Sequence, residues 1–183
     1  YLSAGPFVPE VVLEHPEVVT QLHREFIRAG SDVVQAFTYY GHREKLRIIG
    51  KEHLLEPMQK NALKIAKDAA AEFKDLDLMV CGDVANTNVF DPGDANTHKQ
   101  CQQMYEEQVA WAKEAGVDFV IAETISWTDE MKIALKAIKD AGLIAVCNFA
   151  IPRGDKTREG HSAEDACKMM EDLGADVVGL NCY

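Results

Sequence analysis

The sequence predicts an α/β protein built on a parallel sheet, and three observations predict it. Amphipathic helical segments alternate with short apolar runs, so the chain reads helix, strand, helix, strand to its end. The strand segments are continuously apolar rather than alternating, the pattern of strands covered by helices on both faces. Polar residues collect at the carboxyl ends of those strands: Gln35, Thr38 and Tyr40; Asp83 and Asn86; Glu123; Asn148; Asn181 and Cys182. Both common parallel architectures place their sites at that edge. A dinucleotide-binding fold would want a G-x-G-x-x-G loop after a strand, and the sequence has none. A ring of polar tips supplied by every strand suits a (β/α)8 barrel instead. Five strand segments are present, so the expectation is an incomplete TIM barrel, one partial domain over residues 1–183.

The elements follow in order. The segment "EHPEVVTQLHREFIRAG" opens with Pro16 at a helix-start position, carries Val18, Val19, Leu22 and Phe26 as its apolar stripe, and stops at Gly30. "DVVQAF" is a short β-branched strand. "EPMQKNALKIAKDAAAEF" is a helix with Met58, Ala62, Ile65 and Ala69 on one side, and "LDLMVCGD" is the next strand. "HKQCQQMYEEQVAWAKEAG" and "VDFVIAE" repeat the pair. "TDEMKIALKAIKDAG" starts at Thr128 as N-cap, with acids in its first turn, and leads to "LIAVCNF". "SAEDACKMMEDLGA" begins at Ser162 with Asp165 in an approximate capping box, and "DVVGLNC" is the last strand. The recurrent Gly-x-Asp before a strand is a helix-end glycine, a turn and a strand entry, so it carries architecture and no catalytic role.

Composition narrows the function classes. The chain of 183 residues is 47% apolar, enough for one real core. Net charge is −11, and the basic residues form no stripe, which excludes a nucleic-acid backbone as the expected partner. No apolar run approaches the ~18–20 residues of a membrane span. Five cysteines without regular spacing suit a reducing compartment, so the cytoplasm is expected. The start, "YLSAGPFVPE", is unlike a signal peptide and reads as the interior of a longer protein.

The stretch "AGPFVPEVVLEHPEVVTQLHREFIRAGSDVVQAFTYYGHREKL" closely resembles the betaine–homocysteine S-methyltransferases, and "AGVDFVIAET" and "GADVVGLNC" fall in the matching order and spacing. The resemblance covers essentially the whole chain. It implies a (β/α)8 barrel of which this chain supplies strands two to six. It also implies a zinc ion held by three thiolates, with Cys182 the ligand from strand six and the other two in a Gly-Gly-Cys-Cys sequence outside this segment. Three thiolates on a tetrahedral zinc leave the fourth position for the homocysteine sulfur. A cysteine on an apolar strand is ordinarily packing; the Asn181–Cys182 context turns the reading toward ligand. Cys101 and Cys167 lie on helices, Cys81 and Cys147 inside strands, and no pair has close ligand spacing.

By the same resemblance, Glu123 binds the α-amino group of homocysteine, and Gln35 occupies another matching strand-end position. Tyr40 and Phe7 are aromatic walls for betaine, whose quaternary ammonium offers no hydrogen bond and is recognised by ring faces. Phe7 stands where the family usually has tryptophan, and Thr124 where an aromatic is expected. Tyr39 reads as packing. His42, His53, His98 and His161 show no metal-type pairing and are expected on loops or helix surfaces. Asp83 and Asn86 face the site edge as lining. The implied activity is methyl transfer from betaine to homocysteine, giving dimethylglycine and methionine, in a homo-oligomeric full-length protein. The alternatives are S-methylmethionine or another methyl donor, or a non-catalytic remnant that only binds ligand.

Overall fold

The computed structural model describes residues 8–151 and 155–182. Its elements are α1 (Val11–Glu14), α2 (Pro16–Arg28), β1 (Val33–Gln35), α3 (Arg43–Ile48), a 3-10 turn (Glu52–Leu54), α4 (Leu55–Ala71), β2 (Met79–Ala85), α5 (Ala95–Ala115), β3 (Phe119–Ile125), α6 (Thr128–Asp140), β4 (Ile144–Phe149), α7 (Ala163–Asp172) and β5 (Val177–Leu180). The five strands form one sheet in the order β1-β2-β3-β4-β5, and every pair is parallel. Strand order follows chain order without the reversal that marks a doubly wound sheet. That progression is part of a barrel wall, and β1 and β5 are its edges.

The sheet has two unlike faces. Val34, Val80, Val84, Val120, Ala122, Ala145, Cys147 and Phe149 are buried under the helices. Gly82 is on this face: a Cβ there would stand 3.0 Å from the Ala112 Cβ of α5, so the missing side chain lets the helix seat against the sheet. The other face carries Gln35, Asp83, Ile121, Glu123, Val146 and Asn148. The expectation of strands covered on both faces holds along β2, whose residues 80–85 are all buried, but β3 and β4 alternate between buried and half-buried.

Several local expectations need correction. In α2 the buried row is Val19, His23 and Ile27, whereas Val18, Leu22 and Phe26 are 56%, 40% and 58% exposed. The two rows are neighbours on one helix, and α2 turns the polar-interrupted one toward α4 and β1. Thr128 is the first helical residue of α6, not its cap. Glu159, from the loop after β4, accepts the backbone N–H groups of Thr128 and Asp129 at 2.8 and 2.9 Å. A distant carboxylate thus does what an N-cap side chain does. The α5 helix starts at Ala95, capped by Asp94, earlier than the apolar pattern implied. Ser162 does cap α7, accepting the Asp165 N–H at 3.0 Å.

The recurrent Gly-x-Asp has a physical account. Gly30, Gly116 and Gly174 all take left-handed φ at a helix end. Two residues on, Asp118 accepts the Val80 N–H at 2.7 Å and Asp176 accepts the Ala145 N–H at 2.8 Å. Each aspartate ties the start of its own strand to the strand before it.

Candidate functional site at the carboxyl edge of the sheet

Glu123, near the end of β3, is the centre of the rim. Its Oε1 accepts the Gln35 Nε2–H from β1 at 2.7 Å, and its Oε2 accepts the Asn181 Nδ2–H from the end of β5 at 2.6 Å. Asn181 also accepts the Thr124 N–H at 3.0 Å and donates to Thr124 Oγ1 at 3.0 Å. Side chains from alternate strands meet here, as in the layers of a barrel interior. The structure therefore brings together Gln35 and Glu123, two of the residues singled out by sequence, through a clamp at Asn181 that adjoins Cys182.

The backbone is unusual at the same edge. Tyr40, Thr124 and Cys182 have φ of 59°, 59° and 58°. Left-handed geometry is uncommon outside glycine and is most unfavourable for a β-branched residue such as Thr124, on the order of 1–3 kcal/mol. The strand register between β3 and β4 shifts between Glu123 and Ile125, a bulge directly after Glu123.

Tyr40 is half-buried. Its ring lies 4.4 Å from that of Tyr39 and 5.9 Å from that of His42, and Lys45 Nζ stands 4.1 Å over its centroid. The ring thus already presents a face to a cation. His42 is not on a loop surface as expected: it is 1% exposed and caps α3, accepting the Lys45 N–H at its Nδ1. Burial and the Lys45 charge lower His42 to about 4. Burial pushes the Tyr39 phenol up. Phe7 lies outside the described residues.

Cys182 is exposed at the rim beside Asn181. Among the described residues no three His, Cys, Asp or Glu side chains gather as a metal-holding group. An exposed soft donor at a strand end fits the chemistry of a zinc ligand, but one thiol is a single ligand and not a complete site. Cys81 and Cys147 are pushed up to about 12 by burial, and Cys101 to about 11, so these thiols stay protonated at neutral pH and are packing.

Asp83 was assigned only as lining, and the structure gives it more weight. It is 4% exposed, and neither carboxylate oxygen meets a hydrogen-bond partner among the described residues. Burial first, then the Glu123 carboxylate, pushes it well above the ordinary carboxylate range. With Gln35, Glu123, His23 and Tyr39 it lines a cavity of about 390 Å³ between α2 and the sheet. The available signal was an acid inside the apolar run "LMVCGDVA".

Comparison with known proteins agrees with this geometry. A family model described as Homocysteine S-methyltransferase matches residues 3–183. Betaine–homocysteine S-methyltransferase 1 of Rattus norvegicus is 34% identical over 188 residues, covering 100% of this chain and 44% of the relative. The Sus scrofa protein of the same name is also 34% identical, with 65% of its length covered. The chain therefore spans about half the length of such relatives. The metallated homocysteine methyltransferase MmuM of Escherichia coli shares the fold at a TM-score of 0.84 and 17% identity, covering 100% of this chain and 69% of that one. The carboxyl transferase domain of Rhizobium etli pyruvate carboxylase shares it more loosely, at a TM-score of 0.58 and 16% identity, covering 89% of this chain and 23% of that one. None of the described helices is long and apolar enough to cross a membrane. By the match of the family model over residues 3–183, this chain belongs to the homocysteine S-methyltransferase family.

Proposed function

We propose that the full-length protein transfers a methyl group from betaine to homocysteine, giving dimethylglycine and methionine, and that Glu123 and Cys182 mark where homocysteine sits. The observation that carries the reading is the clamp. Asn181 holds the Glu123 carboxylate at 2.6 Å, and the next residue in the chain is the exposed thiol of Cys182. One end of the clamp suits an ammonium group and the other a metal-held sulfur, the two polar ends of a homocysteine molecule.

A zinc ion held by Cys182 and two further thiolates of the full-length protein would favour the thiolate form of the substrate sulfur near neutral pH. This chain's residues do the rest. Glu123 takes the substrate ammonium through a charge-assisted hydrogen bond. Gln35 and Asn181 keep that carboxylate from rotating, so the substrate sulfur is fixed relative to the donor methyl. Tyr40 offers its ring to the quaternary nitrogen, a contact of about 0.5–2 kcal/mol. The nitrogen leaves as a neutral tertiary amine, so no general acid is required. The free cysteines fit a cytoplasmic setting, and the substrates are small molecules in a homo-oligomer.

A second donor is favoured by one observation. Thr124, where the resemblance leads one to expect an aromatic, spends its hydroxyl on Asn181, so it adds no ring to the donor wall. S-methylmethionine is the natural rival. The test is methionine formation by the full-length protein with betaine and with S-methylmethionine in competition, together with zinc content. Betaine should be the better donor, and Glu123→Gln should reduce kcat/KM for homocysteine about 100-fold, a loss of roughly 3 kcal/mol from one charge-assisted contact. Unchanged zinc and turnover in Cys182→Ser would end the proposal, and a protein that binds homocysteine without forming methionine would be a ligand-binding remnant.

A further inference from the structure

We propose that Lys45 is a resident cation on the donor's ring: its ammonium occupies a face of Tyr40 while the donor position is empty, and the quaternary ammonium of the methyl donor binds by displacing it. The inference rests on the betaine reading and deepens it, since it makes Lys45 a residue that sets how tightly a cationic donor is held.

Local structure fixes the ring and then brings the lysine to it. Tyr40 has a left-handed φ of 59°, in a turn closed by the Gly41 N–H, which donates to the Thr38 carbonyl at 2.7 Å. A Cβ at Gly41 would stand 2.9 Å from that carbonyl oxygen and 3.1 Å from Pro9 Cγ, so the turn needs glycine there. The Gln59 Nε2–H, from α4, donates to the Gly41 carbonyl at 2.5 Å. Thr38 Oγ1 donates to the Asp83 carbonyl at 3.0 Å, which ties the turn to β2. His42 then caps α3, and Lys45 is the third residue of that helix. Helix side chains lean toward the N-terminus, so Lys45 reaches back over the turn to Tyr40.

Both faces of the ring are taken. Lys45 Nζ is 4.1 Å from the Tyr40 centroid, a separation reached over the face and not at the ring edge. The Tyr39 ring, 4.4 Å away between centroids and tilted by 46°, is too close to share that face and covers the other. His42 stands at 81° to the ring, 5.9 Å away. An incoming quaternary ammonium therefore has to displace a neighbour, and Lys45 is the one that can leave. It is half-buried on a flexible four-carbon stem, and its ammonium regains hydrogen bonds to water on leaving. A trimethylammonium group has no N–H to satisfy and keeps the ring. The fraction of protein with Lys45 seated lowers the apparent donor affinity in proportion.

Steady-state kinetics of the full-length protein test this with Lys45→Met, which keeps the stem and removes the charge. KM for betaine should fall about two- to five-fold while kcat and the KM for homocysteine stay the same. Lys45→Arg should bring the betaine KM back to the unmodified value or above. Lysine-selective NMR of the unmodified protein gives a second readout. The Lys45 Cε–H resonance should lie upfield through the Tyr40 ring current and be absent in Lys45→Arg. It should return toward the ordinary lysine position when betaine and methionine, a pair without a thiol to methylate, are added. An unshifted resonance, a resonance that ignores betaine, or an unchanged or raised betaine KM in Lys45→Met overturns the proposal and leaves the betaine reading standing. No methionine formed from betaine by the unmodified protein overturns both.

Discussion

Two buried carboxylates in this molecule have opposite surroundings. Glu130, in the first turn of α6, is 2% exposed, and its Oε1 accepts the Thr87 N–H at 2.8 Å, the Thr87 hydroxyl at 2.6 Å and the Tyr105 hydroxyl at 3.1 Å. Asp83 is 4% exposed and accepts nothing among the described residues. Burial pushes both above the ordinary carboxylate range. Glu130 is a finished structural part that fixes the segment between β2 and α5, while Asp83 is unfinished. A buried polar group that the fold satisfies belongs to the fold, and Asp83 is one whose partners are not among the described residues.

The largest expected effect tests the first half of that contrast. Glu130→Ala strands the Thr87 and Tyr105 donors and should lower stability by about 3 kcal/mol in urea unfolding. Asp83→Asn should be neutral or stabilising in the same assay, since it removes a carboxyl that has no donors. Equal losses in the two variants would break the comparison.

Next comes the pH dependence of stability. Asp83 keeps a proton in the folded state that the unfolded chain has lost, so its share of stability is full at acid pH and disappears as pH rises through its raised folded value. Glu130 acts with the same sign. Asp83→Asn should flatten the fall in stability that begins as pH rises above the ordinary carboxylate range. His42 acts oppositely: it is held neutral at a folded value of about 4, so its share is full above the ordinary imidazole range and is lost as pH falls toward about 4. His42→Asn should flatten the acid side, and urea midpoints across pH check both.

The smallest effect concerns the strained rim. Thr124→Gly relieves a φ of 59° but removes the hydroxyl that Asn181 meets at 3.0 Å. Stability should change by within about 1 kcal/mol, while methionine binding weakens because the Glu123 clamp loosens. A stability change without a binding change would mean that the bulge serves the fold alone.

What could be read from the sequence was what repeats. The Met58, Ala62, Ile65 and Ala69 side of α4 is buried as its spacing predicts, because helix periodicity needs no knowledge of a partner. Strand order, the Ser162 cap and the Glu123 position were legible for the same local reason. Choices between neighbours were not. Val18–Leu22–Phe26 and Val19–His23–Ile27 are adjacent rows, and only tertiary packing decides which turns inward. The Glu159 cap on α6 reaches back 31 residues from Thr128, beyond any window of local pattern. Asp83 was visible as an acid in an apolar run, but its lack of donors exists only in three dimensions.

The strand-entry aspartates have a consequence for how such a wall is assembled. Asp118 and Asp176 each bond to the backbone of the preceding strand, so the offset is written locally at the β2–β3 and β4–β5 junctions rather than imposed by ring closure. The wall behaves like brickwork in which two of the courses carry their own key. Units could be added or removed at the ends while those remaining keep their stagger.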